Sequence, residues 1–349
     1  MIARRSKSRP LTRLVRACAL GAGFVFILAT ATAHAAFPGT NGKIAYVCIK
    51  GAFTITHNPR EICTVRPGGT PVRLTTNDVS DLNPAFSADG TRIAFERSPK
   101  SPSCASPGDP CGDIYRMRAD GSGVARLTNT PSTSESDPSW SPDGKKIAYA
   151  KNPFGANPKI VVLRASDGTV LRTLGAGIEP QWSPNGRKIA FAKRDHLWCV
   201  GTSCVQGYGI YTMSASDGSG KVMLTSTTTY ADGSPCDPTE GCPETNGDPN
   251  WAPNGAAIAW DIFDSQSQEG YIDRMDASGG GKSPLVPSGA VPGCPQHPAF
   301  SPDQTQVAFS NGTYCASGGN PPSIYVRDLS GGAPTSVAEG YAPDWGPKP

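Results

Sequence analysis

Apolar and polar residues alternate along most of this chain with a period of two, in short runs bounded by glycine, proline and aspartate, which is the period of β-strands and not of helices. The clearest runs are RIAFE at Arg92, KIAYA at Lys146, KIAFA at Lys188, AIAWD at Ala257 and QVAFS at Gln306. Each follows a copy of one motif: NPAFSADG from Asn83, DPSWSPDG from Asp137, EPQWSPNG from Glu179, DPNWAPNG from Asp248 and HPAFSPDQ from His297. The aromatic residue and the strand's Ile or Val are seven residues apart every time, as in Phe86 to Ile93 and Trp251 to Ile258. A fixed offset across a Ser-Pro-Asp-Gly loop predicts a tight hairpin, because Pro presets φ early in the turn and Gly takes the left-handed position.

A third strand follows each hairpin, at Asp113, Lys159, Gly209, Tyr271 and Ser323, and a short fourth closes the unit, as in ARLT at Ala125, RTL at Arg172 and VMLT at Val222. Four antiparallel strands repeated at intervals of a few tens of residues predict the blades of a propeller. The chain opens on a second strand, at Asn41 to Tyr46, with its third and fourth at Ile62 to Val65 and Val72 to Leu74. The missing first strand is APDWGPKP, from Ala342. The fold class is therefore all-β, a six-bladed propeller of four-stranded blades closed by the C-terminal strand, with no second domain. One aromatic per blade, at Phe86, Trp140, Trp182, Trp251, Phe300 and Trp345, predicts packing between neighbouring sheets and not a ligand-stacking set.

The P-x-W-S-P-D-G-x-x-I-A-[FY] core, followed by I-Y-x-M-x-x-D-G and R-L-T, resembles the WD-like propeller repeat of the TolB-like family across residues 37 to 349. That resemblance implies a propeller that binds proteins and carries no catalytic residues over. TolB proper has an N-terminal α/β domain and docks a peptidoglycan-associated lipoprotein, whereas here the propeller directly follows the leader.

Residues 1–35 read as a signal peptide: Arg4, Arg5, Lys7, Arg9, Arg13 and Arg16 precede the apolar run Ala19 to Ala29, and Ala33-His34-Ala35 offers a cleavage site. The run is too short to span a membrane. Cleavage leaves the propeller at 36–349, in a secreted or extracytoplasmic setting in the periplasm or at the cell surface. The whole chain carries 32 Lys and Arg against 29 Asp and Glu; losing six bases and no acids turns its net charge from +3 to −3. A mildly acidic surface excludes nucleic acid as a partner, and the protein is expected to be a monomer.

Ten cysteines follow the leader, pairing by proximity as Cys48 with Cys63, Cys104 with Cys111, Cys199 with Cys204, Cys236 with Cys242 and Cys294 with Cys315. Zinc is disfavoured, because no C-x-x-C occurs and only His57, His196 and His297 remain, read as loop residues without a motif.

Propeller topology puts the strand 1–2 and 3–4 turns on one face of the disc and the 2–3 and 4–1 loops on the other. Spacing is nearly invariant on the first. On the second it runs from thirteen (Ile147 to Ile160) to twenty-one (Ile93 to Ile114) for 2–3 loops, and from eight (Leu174 to Trp182) to twenty-seven (Leu224 to Trp251) for 4–1 loops. All ten cysteines fall on this elaborated face, and variable loops on a rigid ring are where binding surfaces form. Asn83, Asp137, Glu179, Asp248 and His297 open each first strand there and are expected to ring the mouth of the central channel. The reading is a protein- or glycan-binding module without a cofactor. The alternative is a metal-dependent hydrolase or lyase with Ca²⁺ held by the oxygen-rich ring. No G-x-S-x-G elbow supports nucleophilic catalysis.

Overall fold

A computed structural model describes residues 37–49, 60–98, 112–130, 133–200, 203–225, 244–264, 267–312 and 321–349, with the side chains of 196–200 and 203–206 outside that description. The leader lies outside it, as do Cys104, Cys111, Cys236, Cys242, Cys315 and His57.

The described strands form six four-stranded antiparallel sheets. Blade 1 takes its inner strand from the C-terminus: Tyr341–Pro347 pairs with Asn41–Ile49, which pairs in turn with Arg60–Val65 and that with Val72–Arg73. The other blades open on Ser80–Phe86, Glu135–Trp140, Ile178–Trp182, Glu244–Trp251 and Cys294–Phe300, and each is built from four strands consecutive in sequence. The repeat therefore gives both the blade and its point of closure.

The second strands hold the ring together by size contrast. In RIAFE, Ile93 and Phe95 pack with Ala45, Val47 and Ile62 of blade 1, while Ala94 on the other face joins Trp140, Ile147 and Tyr149 of blade 3. Large residues on one face meet alanine on the next, so neighbouring sheets interdigitate. All six repeat aromatics are buried, Trp140 to 1% exposure, and the Trp140 indole donates to the Ala85 carbonyl of the preceding blade at 3.1 Å.

The 1–2 turns are locked by local chemistry. Ser141 Oγ donates to Asp143 Oδ1 at 2.6 Å, the Lys145 amide donates to the same oxygen, and the Lys146 amide donates to Ser141 Oγ. Ser87 with Asp89 and Ser301 with Asp303 repeat the arrangement. Glycine completes the turn at left-handed φ in Gly90, Gly144, Gly186 and Gly255, but in the last copy Gln304 holds φ 63°.

On the opposite face, two findings go beyond the repeat. The 2–3 connection of blade 4 is a long hairpin and not a loop: Lys188–Val200 pairs with Ser203–Ser214, so His196 lies in a strand. Its register sets Cys199 opposite Cys204, because the strand alternation continues past the disc instead of breaking at a turn residue. Cys48 and Cys63, on adjacent strands of blade 1, are joined by a disulfide, and Cys294 is also disulfide-bonded. No helix among the described residues is long and apolar enough to cross a membrane.

Candidate functional site

Every inner strand contains the same irregularity. Between Leu82 and Ala85, two residues oppose one on the neighbouring strand, and the same shift recurs between Ser136 and Ser139, Ile178 and Gln181, Gly247 and Asn250, and Gln296 and Ala299. Such a bulge suits proline, which has no N–H to offer the ladder. The residue before each proline is thrown into the left-handed region: Asn83 (φ 47°), Asp137 (52°), Glu179 (52°), Asp248 (45°), His297 (54°) and Ala342 (50°). Left-handed non-glycine residues are strained, and here the strain repeats once per blade around the channel.

The structure brings all five ring residues expected from the sequence together. They line a narrow inner cavity of about 80 Å³, and they form the floor of a wider funnel of about 540 Å³ on the elaborated face. They also touch one another. Asn83 Nδ2 donates to Asp137 Oδ1 at 2.9 Å, the Asp248 amide to Glu179 Oε2 at 2.8 Å, and His297 Nε2 stands 3.3 Å from Asp248 Oδ2. His297 is thus a strand residue of the channel wall and not a loop residue, with its Nδ1 3.1 Å from Ser310 Oγ.

Two acids that the repeat motif does not flag complete the floor. Glu96 accepts from Asn83 Nδ2 at 3.2 Å, and Asp261 accepts from the His297 amide at 3.1 Å. Both occupy the fourth position of the I-A-aromatic strand, where the other blades carry Val47, Ala150, Ala192 and Ser310. A charge in an otherwise apolar alternation was the available signal.

A deeper tier stitches adjacent blades. Asp344 accepts from the Phe86 amide at 2.7 Å, Asn250 from the Phe300 amide at 3.2 Å, and Ser139 from the Trp182 amide at 3.2 Å. Innermost strands have one unpaired edge, and these side chains satisfy its amides.

So many carboxyls in a confined channel cannot all ionise at the ordinary pH. Burial, then the neighbouring Asp137, pushes Glu96 up to about 8; the same two causes, with Asp261, push Glu179 up to about 8. Asp248 is held well above the usual carboxylate range by burial and by Glu179 and Asp261, and burial raises Asp137 and Asp261. Burial alone raises Asp344 to about 6 and lowers His297, although Asp261 pulls the imidazole the other way. Asp248 and His297 keep 28% and 31% side-chain exposure, so the network faces the channel and is not sealed from it. The floor therefore both donates and accepts hydrogen bonds near neutral pH.

The funnel wall contrasts with this floor. It includes Leu82, Phe154, Tyr208 and Phe263, with Arg60 as its guanidinium. Phe154 is 64% exposed. Among the described residues no group of three or more His, Cys, Asp or Glu side chains is arranged to hold a metal ion.

No protein-family model matches the chain, and no curated protein is detectably similar to it in sequence. Solved structures do share its shape. TolB from Acinetobacter baumannii superposes with a TM-score of 0.63 at 21% identity, over 89% of this chain and 68% of that one. A TolB described as putative, from Agrobacterium tumefaciens, gives 0.58 at 16% identity, over 87% and 92%. A chain of a nidogen/laminin complex gives 0.57 at 11% identity, over 87% and 98%. With six four-stranded blades and this likeness in shape, the chain has the TolB-like β-propeller fold.

Proposed function

We propose that this protein is an exported binding module that seats a protein partner over the funnel. The observation that carries the reading is the juxtaposition of a 540 Å³ concavity, an exposed Phe154 at its wall and a hydrogen-bonding floor of five recurrent ring residues. Concave sites with apolar walls and a few convergent polar groups are the usual form of binding sites, and exposed aromatics anchor protein interfaces. The nidogen/laminin complex is one case in which this fold occurs in a protein assembly. Export is supported by the Cys48–Cys63 disulfide, since such bonds persist in oxidising compartments.

The test compares two sets of variants for binding to a partner captured from the extracytoplasmic fraction and then purified. Phe154→Ala, and the isosteric triple Asp137→Asn, Glu179→Gln, Asp248→Asn, should each weaken binding by roughly tenfold or more. Asp143→Ala with Asn185→Ala, in turns on the opposite face, should leave affinity unchanged. Loss with the turn variants and tolerance of the funnel variants would place the partner on the wrong face. Capture of a glycan instead of a protein would overturn the choice of partner class.

A further inference from the structure

A second cavity, of about 210 Å³, lies beside the funnel in the seam between blades 3 and 4 and shares Ile178 and Tyr208 with it. Its charge is opposite to that of the funnel floor. Among the described residues no carboxylate lines it, and the charged side chains there are Lys193 and Arg194 on the second strand of blade 4. The remainder is largely apolar, including Ala156, Pro158 and Ala176.

Both cations lack a carboxylate partner among the described residues. Arg194 Nε is buried without a hydrogen-bond acceptor, and among the described residues Arg194 forms no ion pair. Lys193 Nζ stands 5.0 Å over the Tyr211 ring, an attraction to π-electrons and not to an anion. The nearby Asp195 carboxylate accepts from the Tyr211 hydroxyl at 2.6 Å. A guanidinium N–H withdrawn from water and left without an acceptor is costly, and an anion entering the cavity would relieve that cost.

We propose that this cavity binds a small carboxylate on a short apolar stem, with Arg194 and Lys193 as the groups that recognise its charge. Three properties select that chemistry. A planar carboxylate matches the guanidinium fork in a bidentate pair. The alanine and proline wall suits methylenes. The volume of about 210 Å³ leaves room for a four-carbon acid or an acidic side chain. Neither cation lines the funnel, so the proposal does not depend on what the funnel binds.

Ligand-observed saturation-transfer NMR on the full exported chain tests it, with butyrate as the free acid and acetyl-Gly-Glu-Gly-amide as the peptide-borne one. Butyrate should bind saturably, and its uncharged isostere butyramide should not. Arg194→Lys keeps the charge but loses the fork, and should weaken butyrate by roughly tenfold. Ala156→Leu fills the cavity without touching charge and should do the same, with circular dichroism showing both variants folded. Tighter binding of the tripeptide than of butyrate assigns the site to a peptide side chain, and the reverse assigns it to a free acid. Equal binding of butyrate and butyramide, unaltered affinity in Arg194→Lys, or stronger occupancy by inorganic phosphate than by butyrate would each overturn the proposal.

Discussion

Replacing Trp345 by alanine isolates what the C-terminal strand contributes to the ring. Trp345 is 3% exposed and packs with Ile44 and Tyr46 of its own blade and with Ala299, Ala308 and Ile324 of blade 6. Its strand also reaches blade 2, where Asp344 accepts from the Phe86 amide and Gly346 lies so close to the Phe86 ring that an added Cβ would meet it at 2.4 Å. Truncating a buried tryptophan costs about 3–5 kcal/mol. In a domain of this size that lowers the melting temperature by roughly 5–8 °C. Trp182, 6% exposed on the inner strand of a blade whose four strands are consecutive in sequence, is the internal reference, and Trp182→Ala should fall by a similar amount. Deleting Tyr341 to Pro349 removes Trp345 together with the whole ladder to Asn41–Ile49. The loss then approaches the entire stability of a typical domain, about 5–15 kcal/mol, and no cooperative transition should remain. Calorimetry or circular dichroism reads both variants. A Trp345→Ala protein melting within about 2 °C of the parent, while Trp182→Ala drops, would refute closure as the source of stability.

The channel acids make stability depend on pH with a defined sign. Glu96 and Glu179 hold their protons up to about 8 in the folded ring but release them near about 4.3 when unfolded. The native state therefore binds more protons between those limits, so melting temperature should fall as pH rises from about 5 to 8.5; Glu179→Gln should flatten that slope, and a rise with pH would contradict it. Gln304 bears a left-handed φ where the other described turns use glycine, so Gln304→Gly should add about 1 kcal/mol in denaturant unfolding. Replacing Cys48 and Cys63 by alanine opens a bridge across 15 residues, which should cost about 3 kcal/mol by the same measurement.

The blades were legible because each requirement of the fold recurs as a residue type. The aromatic, the I-A-aromatic strand and the Ser-Pro-Asp-Gly turn all appear at fixed offsets, and the ring from Asn83 to His297 could be placed because it precedes a recurrent proline. Glu96, Asp261 and Asp344 stand out in the sequence only as charges where other blades hold alanine, valine, serine, glutamine or asparagine, and only the three-dimensional ring brings them within bonding distance of their partners. The bulge was likewise hidden. Alternation predicts a straight strand through Asn83-Pro84, whereas the left-handed φ there turns the side chain inward and creates the ring's geometry. The long hairpin at Cys199 and Cys204 is hidden in the sequence because spacing alone does not distinguish an extended ladder from an irregular connection.

Blade 1 draws strands from both ends of the chain, and this gives the molecule a sense of time. As the polypeptide emerges from its N-terminal end, the strand Asn41–Ile49 must wait with an open edge until Tyr341–Pro347 arrives. The other five blades can form in order as they appear, but the circle stays open until Tyr341–Pro347 is in place, when the Lys348 amide meets the Thr40 carbonyl at 2.9 Å. A chain interrupted anywhere before Tyr341–Pro347 leaves Asn41–Ile49 with an exposed sheet edge, so an early stop far from blade 1 in sequence still leaves that blade open.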